Sequence, residues 1–507
     1  MKTRASGQKK SMPPVEIFQK SLAAAVVVLN FGHPSLNEPM NISPLAPSTL
    51  SGNGQSYRGP FTIMTVLFFM WGFITVLNDI LIPRLQDAFT LTNYQIMFVQ
   101  TAFFGAYFIG SLLYFAISAT AGDPIARIGY KNGVVIGLLL AAIGGAMFWP
   151  AASQLSYPLF LGGLFVVGLG FAMLQIAANP YVTILGPERT ASSRLNLAQA
   201  FNSLGTTTGP LIGGYLIYEY FSKTGASGAE SVKIPYLVFS IIFAVIAVIF
   251  FFLHLPHVGE GKIDAGIGAL KYPHVVLGVL AIFMYVGGEV SVGSQIIKYL
   301  GQPDVAAMSA IDASKYVSLF WGGMLIGRFM GAVELSEMKK ANKQLLLAGI
   351  PLAAFLILLS WRGWDVVKMY LPMLALCWLF FQFGKGIAGR TLGLFSATIV
   401  VLLAVAVLFG GRLAMWCIVG IGLFTSIGWP NIFSLALDRM GVLKSQVSSL
   451  LVMAVVGGAI LPPIMGKIAD HWNRQVAFII PLLAYSYVAF YGWKGHKLGR
   501  TKLPDVQ

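Results

Sequence analysis

Charge is what this sequence has least of. Only 10% of its 507 residues are charged, against about 25% in a soluble domain, while 56% are apolar and the mean hydropathy is +0.75. A chain so apolar cannot hide its surface from water, so its solvent is lipid. Cysteine is almost missing as well. Cys377 and Cys417 both lie inside apolar runs, which excludes a disulfide framework and a thiolate metal site. The histidines are scattered, and the one spaced pair, His254 and His257, has no acidic or thiol partner nearby, so it reads as an ordinary loop pair. The segments between apolar runs are short and carry no Ser, His or carboxylate constellation. Neither an enzyme nor a bound cofactor is expected.

What the sequence does have is spans. A crossing helix needs about 20 mostly apolar residues. Such runs occur near 61–83, 96–119, 132–152, 158–185, 195–219, 234–254, 273–298, 314–333, 344–361, 367–384, 391–410, 413–437, 447–466 and 475–493. The expected fold class is therefore an all-α polytopic membrane protein of about fourteen transmembrane helices. With the N-terminus inside, 24 of the 34 Lys and Arg fall on cytoplasmic segments and 10 on outer ones. That asymmetry explains the net charge of +15 without nucleic acid and puts both termini in the cytoplasm. Residues 1–57 are rich in Pro, Ser, Asn and Gly and read as a disordered cytoplasmic tail. Their apolar stretch, Leu22 to Leu29, is too short to span.

The runs repeat. Phe69-Met70-Trp71-Gly72 in the first matches Phe283-Met284-Tyr285-Val286 in the seventh, and Gly105 to Gly110 in the second matches Gly322 to Gly327 in the eighth. Asn179-Pro180-Tyr181 and Trp429-Pro430-Asn431 correspond in the fourth and twelfth, where each proline is expected to break the helical ladder. Gly205…Pro210 and Gly458…Pro463 correspond one span later. Two halves follow, 58–255 and 273–494, joined by a cytoplasmic linker at 256–272 and followed by a tail at 495–507. The second half has two runs too many. The Leu/Val/Ala-rich hairpin 367–410 is the expected surplus, a lipid-facing accessory pair.

A carboxylate at mid-bilayer costs roughly 2.5–3.5 kcal/mol even on the mildest scale. Asp79, after Asn78, stands near the end of the first span. Asp79 reads as a carboxylate that binds a proton or sugar hydroxyls, with Asn78 beside it as a candidate sugar ligand, or as a solvated helix end. Glu289 lies well inside the seventh span and reads as a substrate or ion site, or as a structural hydrogen-bonding group. Gln175 and Asn179 share one face of the fourth helix, and Gln199 and Asn202 one face of the fifth. Amides donate and accept, as sugar hydroxyls do, although interhelical amide pairing is the plainer use. Tyr285, Trp321 and Trp429 could stack on a sugar ring or simply pack, and Asn431, which follows the second proline, is a further candidate sugar ligand. Arg194 and Arg328 sit at cytoplasmic span ends and read as gate or topology residues.

Taken together, Phe69 to Pro83, Gln175 to Tyr181, Arg194 to Gly205, Phe283 to Val290 and Val455 to Ile460 resemble the fucose/glucose–galactose permease branch of the major facilitator superfamily. The likeness runs from about residue 60 to 493. It implies a major facilitator fold of two six-helix halves, here with an extra hairpin. It also implies a bacterial inner-membrane symporter that imports a monosaccharide with a cation by alternating access. By the resemblance, Asp79 matches the family's protonatable aspartate, and Gln199 and Asn202 match sugar-contacting amides. Gln175 stands where the fucose permease has a second essential Glu, and Val76 where it has Asn. Those departures, with Gly-Glu-Val at 288–290, turn the expected substrate towards glucose or galactose and leave H⁺ and Na⁺ both open. Efflux of another small molecule and a transport-inactive sugar sensor are the alternatives.

Overall fold

The computed structural model describes residues 58–89, 93–214, 233–253 and 266–499, with the side chains of 76–97 and of 58, 100, 210, 211, 213, 214, 310, 311 and 314 outside that description. Over the described residues, every predicted run falls on a helix. We label them α1 (Arg58–Phe89), α2 (Asn93–Ala121), α3 (Pro124–Ser153), α4 (Tyr157–Ile184), α5 (Ala191–Gly214), α6 (Lys233–Phe252) and α7 (Pro273–Leu300). The series continues with α8 (Ala310–Glu334), α9 (Lys340–Arg362), α10 (Trp364–Gly384), α11 (Ala388–Phe409), α12 (Gly411–Leu437), α13 (Gly441–His471) and α14 (Arg474–Lys497). Among the described residues, 12 are long and apolar enough to cross a membrane. The other two are α5, which is rich in Ser, Thr and Asn, and α1, whose described apolar part is Gly59–Thr75, so the count of fourteen is approximate. The tail 1–57, most of the linker at 254–265 and residues 500–507 lie outside the described residues.

Helix contacts repeat between the halves. α1 packs on α5, α2 on α4, and α3 on both α4 and α6. In the second half α7 packs on α13 and α8 on α12. Small residues set these crossings, because in lipid the close approach of backbones drives helix association. A Cβ at Gly205 would fall on the Phe69 carbonyl, and one at Gly457 on the Phe283 carbonyl. Likewise Gly168 lies against the Phe103 carbonyl and Gly422 against that of Phe320. Phe69 and Phe283 are residues the sequence repeat aligns, and so are Phe103 and Phe320. The glycine partner in α13 is Gly457, one residue before the aligned Gly458.

The same contacts correct the identity of the surplus pair. The helix that packs on both α12 and α14, as α3 packs on α4 and α6, is α11. Its Gly389 and Gly393 press on His496 and Trp493, and Gly393 meets Gly492 backbone to backbone. It is therefore a core helix, not half of a lipid-facing hairpin at 367–410. The peripheral helices are α9, with 6% of its apolar stretch buried in protein, and α10, with 28%. The ends of this 335–385 segment meet: the Gly386 N–H donates to the Glu334 carboxylate at 2.6 Å, and Lys343 Nζ donates to the Glu334 carbonyl at 2.8 Å.

One helix break differs from expectation. α4 runs unbroken through Pro180, where the Asn179 amide and Thr183 hydroxyl donate to the carbonyls of Gln175 and Pro180. In α12 the helix is interrupted at 426–427, ahead of Pro430.

Candidate functional site between the two halves

Glu289 is half-buried on α7, one turn beyond Tyr285. Among the described residues, the titratable groups around it are Tyr285 on its own helix, Arg328 on α8 and Tyr485 on α14. Tyr285 is buried. Its hydroxyl donates at 2.9 Å to the Thr425 carbonyl, next to the α12 break, and its ring lies against Gly428. It is thus a packing and positioning residue, not an exposed stacking platform. Trp429, also offered for stacking, is buried against Phe433 at a ring separation of 4.6 Å, whereas Trp321 is exposed.

Arg328 connects this cluster to the first half. Its buried guanidinium donates to the Ser426 carbonyl at 3.2 Å, to the Gln199 carbonyl at 3.3 Å and to the Ser203 hydroxyl. Gln199 is itself buried, and Asn202, nearly one turn on, donates at 3.1 Å to the Phe68 carbonyl of α1 beside the Gly72 crossing. So Arg328, with Glu289 beside it and the Gln199 main-chain carbonyl and Ser203 hydroxyl as its acceptors on α5, forms one polar tract through apolar helices. Gln175 stands on α4, with the Tyr107 phenol beside it and Trp71 next to that phenol. Its carbonyl accepts from Ser448 of α13 at 3.4 Å, and its Oε1 is buried without a hydrogen-bond partner. Asn78 and Asp79 lie on α1 by backbone; their side chains are outside the described residues.

Two of the predicted amides belong elsewhere. Asn179 is fully buried and turned into its own helix. Asn431, also fully buried, accepts from Asn196 of α5 at 2.7 Å and donates to the Ala388 carbonyl at 3.3 Å. That pair is part of a closure on the side to which the charge count assigns most Lys and Arg, here called the basic side. Ser192 and Ser434 share a hydrogen bond of 2.7 Å, and Ser193 donates to the Ala332 carbonyl at 2.6 Å. Glu188 accepts from the Arg439 N–H at 3.1 Å, and Arg189 pairs with Glu337.

Asp123 closes the other flank. It caps α3 by accepting from Ile125 at 2.8 Å, holds the Tyr114 hydroxyl at 2.5 Å and accepts from Ser445 of α13. Gln446 reaches Ser118 at 3.2 Å and takes the Ala269 N–H at 2.8 Å. Arg194 stays within the first half. It bonds the carbonyls of Val182, Thr183, Gly186 and Pro187 and so caps the end of α4.

Asn196, Asp123, Ser445 and Gln446 were not singled out in the sequence. Asn196 stands three residues before Gln199, so the i,i+3 rule that selected the later amides reaches it too. Asp123 precedes a proline at a helix start, which is a readable cap signal. Ser445 and Gln446 carry no local signal, since their partners are more than 170 residues away.

Comparisons with known proteins identify the family. The family model described as Major Facilitator Superfamily matches residues 61–442. A glucose/galactose transporter of Brucella abortus is 43% identical over 455 residues, covering 89% of this chain and 97% of its own. The L-fucose-proton symporter of Escherichia coli is 32% identical, covering 86% and 93%. Among solved structures, FucP in the outward conformation superposes with a TM-score of 0.68 at 30% identity, over 86% of this chain and 99% of that one. Paired halves with repeated crossings, a polar tract between them and these likenesses lead to one conclusion: the chain belongs to the Major Facilitator Superfamily.

Proposed function

We propose that this protein is a secondary active transporter that imports a hexose of the glucose/galactose kind by symport with H⁺ or Na⁺. The observation that carries the reading is the tract Glu289–Arg328–Gln199. In it a membrane-embedded carboxylate and a guanidinium stand next to α5 of the other half, in a molecule closed on one side. Relatives named for glucose/galactose and for L-fucose with protons supply the substrate class. The likeness to an outward-conformation structure fits a state shut on the basic side, which we take to face the bacterial cytoplasm. In this reading Asp79 and Glu289 couple the cation, while Asn78, Gln175, Gln199 and Asn202 meet the sugar. Asn179, Tyr285 and Asn431, first considered as sugar ligands, instead hold the helices and the closure around it. Gln175 cannot carry a proton, so coupling rests on the two carboxylates.

Vesicles containing the protein should accumulate labelled glucose or galactose when a proton or a sodium gradient is imposed, each applied separately. Asp79→Asn is expected to abolish uphill accumulation and to leave exchange. Failure to accumulate any hexose under either gradient rejects symport, and unchanged accumulation in Asp79→Asn removes that residue from coupling.

A further inference from the structure

We propose that Arg328 is an interdomain latch, exchanging acceptors on the first half for Glu289 as the basic side opens. The inference rests on the reading of Glu289 as a coupling carboxylate.

Arg328 belongs to α8, yet two of the three acceptors its guanidinium reaches, the Gln199 carbonyl and the Ser203 hydroxyl, belong to α5 of the other half. The third, the Ser426 carbonyl, moves with its own half. Opening the basic side separates α5 from α8 and strips the guanidinium of both α5 acceptors. A buried charge left without acceptors is costly, so opening of the carrier without sugar needs a replacement. Among the described residues the anion at hand is Glu289 on α7; Tyr285 and Tyr485, the other described titratable groups beside it, carry no positive charge. An ionised Glu289 can take over the guanidinium. A Glu289 neutralised by a proton or occupied by a cation is a poorer acceptor, and Arg328 then stays on α5.

The consequence is a rule for coupling. With the cation bound and no sugar, the latch holds and the basic side stays shut, which prevents a cation leak. A sugar that engages Gln199 and its neighbours competes for the same α5 segment and loosens the latch. With neither ligand, Glu289 captures Arg328 and the empty carrier can reorient. Arg328 thus positions the halves and need not touch the sugar.

The closure carries its own reporter. Ser192 and Ser434 face each other across the halves at 2.7 Å, so Ser192→Cys with Ser434→Cys can be oxidised to a disulfide when the basic side is shut. The buried Cys377 and Cys417 are first replaced by Ala. Disulfide formation is then followed in membrane vesicles without any sugar. Arg328→Gln should slow it by about tenfold, the effect of losing charge-assisted hydrogen bonds, and Arg328→Lys should give an intermediate rate. Glu289→Gln should form the disulfide at least as fast as the parent, and adding Arg328→Gln to it should restore the slow rate. Should Arg328→Gln fail to give monodisperse protein, Ser203→Ala removes one α5 acceptor and should slow the reaction about threefold.

An unchanged rate in Arg328→Gln, or a Glu289→Gln effect that persists without the arginine, overturns the latch. Hexose plays no part in the measurement. A latch response without hexose uptake therefore rejects the sugar reading alone, and uptake without a latch response rejects the latch alone.

Discussion

Helices α9 and α11 are nearly equal in length and opposites in place. They have 23 and 22 residues, and their most apolar stretches have mean hydropathies of 2.0 and 2.7, yet 6% of the apolar stretch of one is buried in protein and 50% of the other. Hydropathy measures the preference for lipid over water, and both helices satisfy it. It does not say whether the apolar neighbour is a lipid tail or another helix. That choice is made by small residues, which let backbones meet. α11 has Gly389 and Gly393 pressed on His496, Trp493 and Gly492, whereas Gly349 in α9 faces open space.

The difference can be broken most sharply by deletion. Because Gly386 bonds Glu334, removing 335–385 should leave ends that join without strain. We expect a folded, monodisperse protein that retains measurable hexose uptake. Removing 367–410 takes out α11 and should abolish both. Equal outcomes for the two deletions would erase the distinction between core and accessory helices.

Point substitutions sharpen the comparison at one residue each. Gly393→Leu must displace Trp493, and overpacking of this kind costs about 1–3 kcal/mol, so the thermal midpoint in detergent should fall clearly. Gly349→Leu adds a side chain facing open space and should leave that midpoint unchanged. A matching fall in both would mean that α9 is packed more tightly than its exposure suggests.

The smallest effect concerns the accessory pair itself. The amides of Gln344 and Gln382 bond each other reciprocally at 2.9 Å, joining α9 to α10. Gln344→Ala should lower stability by about 0.6 kcal/mol, the typical worth of an interhelical hydrogen bond in membrane proteins. It should leave uptake intact, and impaired uptake would tie the pair to the transport cycle.

The candidate site was partly legible. Glu289, Gln199 and Asn202 stand out because a polar group in an apolar run is rare wherever it points. The roles of Asn179 and Asn431 were not legible, because the same amide serves a sugar or a neighbouring helix. Only the partner decides. For Asn431 that partner is Asn196, 235 residues earlier. Pro180 looked like a break because proline removes an N–H, but the helix continues there, with Asn179 and Thr183 bonding nearby carbonyls.

The sequence by itself determined the solvent, the spans and the repeat, since each is a sum over neighbouring residues or a comparison of strings. Lipid tests hydrophobicity locally, and that test can be read from composition. Only the tertiary structure decided which helix pair is peripheral, which amides close the basic side and that Arg328 reaches across the halves. Those outcomes depend on backbone approach at glycines and on hydrogen-bond partners far apart in the chain, for which no local pattern exists.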